Sequence, residues 1–161
     1  METTVLVILT TVIAVLGTLA GSIVTGRYQR RSAEHAAQIA RGDALRRDRL
    51  AAVTDLAAAV SEHRIAMWAR GEAQLKGDAP DRLADLRSRS HETRTAITRP
   101  LVALRVLVTD PAVREAADDM VTATHALRGA DTDVDALART RQEALAGYDR
   151  FVNVAAAYLG N

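Results

Sequence analysis

Cysteine is absent from the 161 residues, so disulfide staples, thiol nucleophiles and thiolate zinc sites are all excluded. Aromatic residues make up only 3%, with three prolines and nine glycines. A chain this poor in strand-favouring aromatics and in turn-forming residues argues against sandwiches and barrels. An excess of one charge is lacking too. The 21 basic and 20 acidic residues leave a formal +1, which excludes a bulk nucleic-acid binder that is basic throughout. What is abundant is alanine, 32 residues within a 48% hydrophobic composition. That combination favours close-packed helices, and the length suits one modest domain plus one appendage.

From Thr3 to Gly26 there is no charged side chain. A helix of that run reaches about 36 Å against a hydrocarbon core of about 30 Å, which predicts a transmembrane anchor at 1–26. A cleaved signal peptide is the competing reading, because Thr18 and Ala20 offer small residues for cleavage. The side-chain charge preceding the run is Glu2, however, where a leader wants a basic segment. Arg27, Arg30 and Arg31 follow the run, and the excess of basic residues on that side places the C-terminal domain in the cytoplasm of a single-pass cell-membrane protein. Within the run, Gly17 and Gly21 form a GxxxG pair, a candidate seam for helix association in the membrane and a route to a homo-oligomer. The plain alternative is that glycine is common in such helices.

Beyond Gly26 the sequence reads as helix to Lys76. Residues 27–49 form a basic helical stalk with seven Arg against Glu34, Asp43 and Asp48. A regular apolar stripe then begins: Val53, Leu56, Val60, His63 or Arg64, and Met67. GDAP at 77–80 is a turn with Pro80 opening the next helix, and its stripe runs from Leu83 to Val108 with Ser90 and Thr93 at its centre. Pro100 interrupts the pattern and predicts a kink near Ala96. Asp110-Pro111 is a cap and a restart, Gly129 a stop, and Thr132 the opening of the last helix. The expected fold is therefore all-α: a single N-terminal transmembrane helix continuing into a long helical stalk and an up-down four-helix bundle. The bundle occupies 50–161, with helices at about 50–76, 80–107, 111–128 and 132–158.

The search for chemistry starts from four histidines, His35, His63, His91 and His125, which fall on different helical segments. Their spacing matches neither a diiron carboxylate pattern nor a zinc-protease helix, and the expectation is solvated or capped histidines at helix surfaces, with no metal and no cofactor. Ser90, His91 and Glu92 carry the letters of a triad but are consecutive on a helix, so they point in different directions and form no relay. There is no Gly-rich phosphate loop. No enzyme is expected. Ser90 and Thr93 are either satisfied by carbonyls one turn earlier or part of a polar layer facing His63 or Arg64. Of the stalk arginines, Arg27, Arg30 and Arg31 suit lipid headgroups, whereas Arg41, Arg46, Arg47 and Arg49 face solvent, acidic neighbours or nucleic acid. Nucleic acid is not favoured as a partner, because no aromatic platform or recognition helix accompanies the charge.

Four segments resemble KilB-like proteins, small actinobacterial membrane proteins associated with conjugative-plasmid spread. They are GTLAGSIVTG at 17–26, QRRSAEHA at 29–36, RLAAVTDLAAAVSEHRIAMW at 49–68 and SHETRTAITRPLVAL at 90–104. The C-terminal helices match in pattern alone. The resemblance implies membrane localisation and an auxiliary role in plasmid spread, and it transfers no functional residue. The resulting expectation is a non-enzymatic, membrane-anchored helical scaffold or interaction protein, working with itself or a larger membrane complex. The alternative is a membrane-tethered DNA-binding module using the Arg-rich stalk.

Overall fold

The computed structural model describes residues 2–160, and side chains from residue 34 onward. Four α-helices follow one another: α1 (Glu2–Lys76), α2 (Pro80–Leu107), α3 (Pro111–Ala126) and α4 (Val134–Gly160), with a short 3-10 turn, Leu127–Gly129, between α3 and α4. No strand occurs among the described residues. The chain divides into two compact units, Met1–Ala44 and Leu45–Asn161.

The membrane localisation expected from the opening run is corrected here: among the described residues no helix is long and apolar enough to cross a membrane. Along α1 from Glu34 to Lys76, and along α2 and α4, charged residues recur every few positions, so none of these stretches offers the roughly 20 consecutive apolar residues a span needs. The side chains of the 3–26 run lie outside the described residues. Side-chain placement is described from residue 34 onward, so the expected seam at Gly17 and Gly21 and the expected lipid contact of Arg27, Arg30 and Arg31 lie outside it.

Local sequence sets the helix ends. After Lys76 the chain turns at Gly77, whose φ of 69° is easy for glycine alone, and the Asp78 and Gly77 amides donate to the carbonyls of Ala73 (3.0 Å) and Gln74 (3.2 Å). This pair of bonds is a Schellman closure, satisfying two carbonyls that the helix leaves open. Helix α2 opens on Pro80 at its first position and runs through Pro100 to Leu107. The Asp110 carboxylate then accepts from the Ala112 and Val113 amides at 2.9 and 3.1 Å, capping α3. Two expectations shift slightly. Gly129 closes a 3-10 turn without a positive φ, and α4 is capped by Asp133, which accepts from the Ala136 amide at 3.0 Å, one residue beyond Thr132.

The second unit holds two apolar clusters. The larger joins Leu56 and Val60 of α1, Leu104 of α2, Val113 and Met120 of α3, and Phe151 of α4, all essentially inaccessible to water. The smaller joins Met67, Leu127, Leu137 and Ala144, with Trp68 and Leu75 packed against them. At the ambiguous stripe position of α1, packing selects His63 over Arg64, and in α4 Phe151 is buried while its neighbour Val152 is exposed. Helices α3 and α4 lie along each other closely, whereas α2 and α3 touch narrowly.

Candidate functional site

Residues of α1, α2, the end of α3 and the 3-10 turn line a cleft of about 230 Å³. Helix α1 contributes His63, Met67 and Arg70, one turn apart along a single face. Helix α2 contributes Ser90, His91 and Arg94; the end of α3 brings His125, and the 3-10 turn brings Arg128. No acidic side chain is among its described lining residues.

Polar groups at its base are organised around α2. The Ser90 hydroxyl donates to the Arg87 carbonyl at 2.8 Å, and the Thr93 hydroxyl donates to the Arg89 or Ser90 carbonyl at 3.0 and 3.2 Å. Both hydroxyls are thus satisfied one turn earlier. The Thr93 oxygen also lies 3.0 Å from His63 Nδ1. With the hydroxyl hydrogen given to a carbonyl, Nδ1–H is the donor in that bond, and Nε2 is the lone-pair nitrogen of the neutral ring. The two readings of Ser90 and Thr93 therefore merge: the hydroxyls back-bond and Thr93 also meets His63.

His63 and His125 meet edge to face, with ring centroids 5.5 Å apart at 79°. Burial pushes the His63 imidazole down to about 4, with the His125 and Arg94 charges acting in the same direction. Burial, and then Arg94, also lower His125. The His125 Nε2 atom is buried and has no hydrogen-bond partner among the described residues. The expectation of surface histidines is thus corrected for this pair, because α1 and α3 bring them together under α2. His35 and His91 are exposed, His91 at the rim of the cleft. Among the described residues no group of three His, Asp or Glu side chains is placed to hold a metal ion.

The stalk arginines take separate roles. Arg41, Arg46 and Arg47 are exposed. Arg49 is half-buried: its Nε donates to the Leu107 carbonyl at 3.0 Å and its guanidinium lies 5.7 Å from the centre of the Tyr158 ring. It ties α1 to the end of α2 and to α4. Similar stacking places Arg64 on Tyr148 (5.5 Å) and Arg141 on Trp68 (4.4 Å). Arg70, Arg94 and Arg128, the cations of the cleft, were not singled out by sequence reasoning. The available signal was His63, Ser90 and Thr93 at core positions of two stripes.

Fold and cleft together define an all-α protein with two helix-built cores and a basic, histidine-containing recess. The chain belongs to the KilB family: the model of the KilB plasmid transfer protein matches residues 50–159. It is 41% identical over 151 residues to Protein KilB of Streptomyces lividans, covering 94% of this chain and 98% of that protein. No solved structure matches it.

Proposed function

We propose that the chain is a non-enzymatic helical interaction protein that assists the spread of a conjugative plasmid between cells. Family membership carries this reading. The likeness to Protein KilB extends over 94% of the chain, and so takes in every helix rather than one shared fragment. The absence of catalysis is supported by how the polar letters of α2 are used. Ser90 is bound to the Arg87 carbonyl, and Glu92 accepts from Ser88 at 3.3 Å, so neither is aligned with His91 as a proton relay. Charged and aromatic side chains are instead spent in holding helices together, as at Arg49, Arg64 and Arg141. A protein built in this way acts by presenting helical surfaces to other components of plasmid transfer.

Removal of the gene from a plasmid-bearing donor tests this. Spread of the plasmid through a recipient population is expected to fall, and to be restored by the wild-type chain and equally by Glu92→Gln. Undiminished spread after removal overturns the role. Loss of rescue by Glu92→Gln, with the protein present at normal level, overturns its non-enzymatic character.

A further inference from the structure

Three arginines, from α1, α2 and the 3-10 turn, line the cleft, and no Asp or Glu is among its described lining residues. Arg70 has a partner just outside, Asp131 at 3.8 Å, too far for a direct hydrogen bond. Arg94 and Arg128 form no ion pair among the described residues, and both are exposed enough to reach a ligand. Like charges held together repel one another, and the field also works against any further cation, whether a metal ion or an imidazolium. An anion reverses every one of these terms. The guanidinium fork matches two oxygens of a phosphate at once, and the imidazoles beside it supply single N–H donors.

Size narrows the class. At about 230 Å³ the cleft is smaller than the recesses that enclose drug-sized ligands, yet it takes one tetrahedral oxyanion with a small organic group or its water. A nucleic-acid backbone needs a track of cations along a surface, whereas these are gathered in one recess. His125, which lines the cleft, keeps an Nε2 with no hydrogen-bond partner among the described residues.

We propose that the cleft lined by α1, α2, the end of α3 and the 3-10 turn is a receptor site for a single phosphate-class oxyanion. Arg70, Arg94 and Arg128 hold its oxygens, with His91 as a ring donor and His125 in the wall beside it. This site goes beyond the role in plasmid spread and stands on the cleft alone. Binding takes up protons. The groups facing His125 are His63 and Arg70 from α1, His91 and Arg94 from α2, and Arg128 from the turn. An anion set among them favours the His125 imidazolium that burial and Arg94 otherwise oppose.

The test is calorimetric titration of the full chain with inorganic phosphate, against sodium chloride at matched ionic strength. Saturable binding in the millimolar range or tighter is expected. The double variant Arg94→Gln/Arg128→Gln should weaken it by about tenfold or more, while melting in chloride at nearly the wild-type temperature, since neither side chain is in the core. Sulfate, whose charge is constant from pH 7.5 to 5.5, should bind several-fold more tightly at the acid end. NMR of the wild-type imidazoles should show the His125 titration moving upward on saturation with sulfate, a readout that needs no variant. Glycerol phosphate and an oligonucleotide with and without a terminal phosphate separate a phosphorylated small molecule or headgroup from a nucleic-acid end. The proposal is overturned by binding no stronger than chloride, by full retention in the double variant, by an unmoved His125, or by an oligonucleotide that binds equally well without its terminal phosphate.

Discussion

His63 shows how one position can be legible as a pattern and illegible as chemistry. Its place between Val60 and Met67 puts it on the buried face of α1, and it is 2% exposed. The pattern alone left Arg64 as an equal candidate. Packing separates them, because Arg64 escapes to stack on Tyr148 and to bond Ser61 at 3.1 Å, while His63 finds Thr93. The consequence is a dependence on pH. With its pKa lowered from 6.5 to about 4, the folded ring binds fewer protons than the unfolded one between those values. Stability is therefore whole above pH 6.5 and falls as the pH drops toward 4, by at most about 1.4 kcal/mol per unit for this ring. Urea unfolding at a series of pH values should show the decline, and His63→Gln should flatten it. Phe151 is the core counterpart: it is fully buried and contributed by the last helix. Phe151→Ala should cost about 3–5 kcal/mol in the same assay, whereas Val106→Thr, at a site 72% exposed, should change little.

The helices begin and end where short-range chemistry says they should, because a cap or a glycine acts within one turn of itself. Asp110 was readable as a cap for that reason, and its removal in Asp110→Ala should destabilise by about 1 kcal/mol, with Asp110→Asn recovering most of the loss in thermal unfolding. The α2–α3 connection holds something the sequence did not announce. Arg114 reaches back across it, donating through Nε to the Val108 carbonyl at 2.7 Å and through Nη2 to the Arg105 carbonyl at 2.6 Å. Two charge-assisted bonds to chain carbonyls at a helix end make Arg114→Ala a loss of about 1–3 kcal/mol. The nearby Arg105–Asp118 pair, 2.7 Å apart but about half exposed on both sides, should be worth about 0.5 kcal/mol or less in a double-mutant cycle. A reversed order of these two losses would show that the turn is held by surface charge and not by its carbonyls.

Both apolar clusters draw their residues from the second compact unit. A fragment beginning at Leu45 is therefore expected to unfold cooperatively, with a midpoint within a few degrees of the full chain; a broad, non-cooperative melt would contradict the division. The anion site belongs at this level too, because its wall is assembled from three helices and a turn. Family membership likewise rests on the whole length, with 41% identity spread over 151 residues.

Helical class, the order of four helices, their capped ends and most of the residues that face inward follow from alanine content, apolar spacing and a few punctuating residues. Each of these acts through propensity or through bonds within a turn or two. The meeting of His63 with His125, the convergence of Arg70, Arg94 and Arg128, and the engagement of Arg49 with Leu107 and Tyr158 join positions far apart in the chain. They depend on how α1 packs against the three helices that follow it. That arrangement is a property of side chains packed between helices, which no single helix carries in its own pattern.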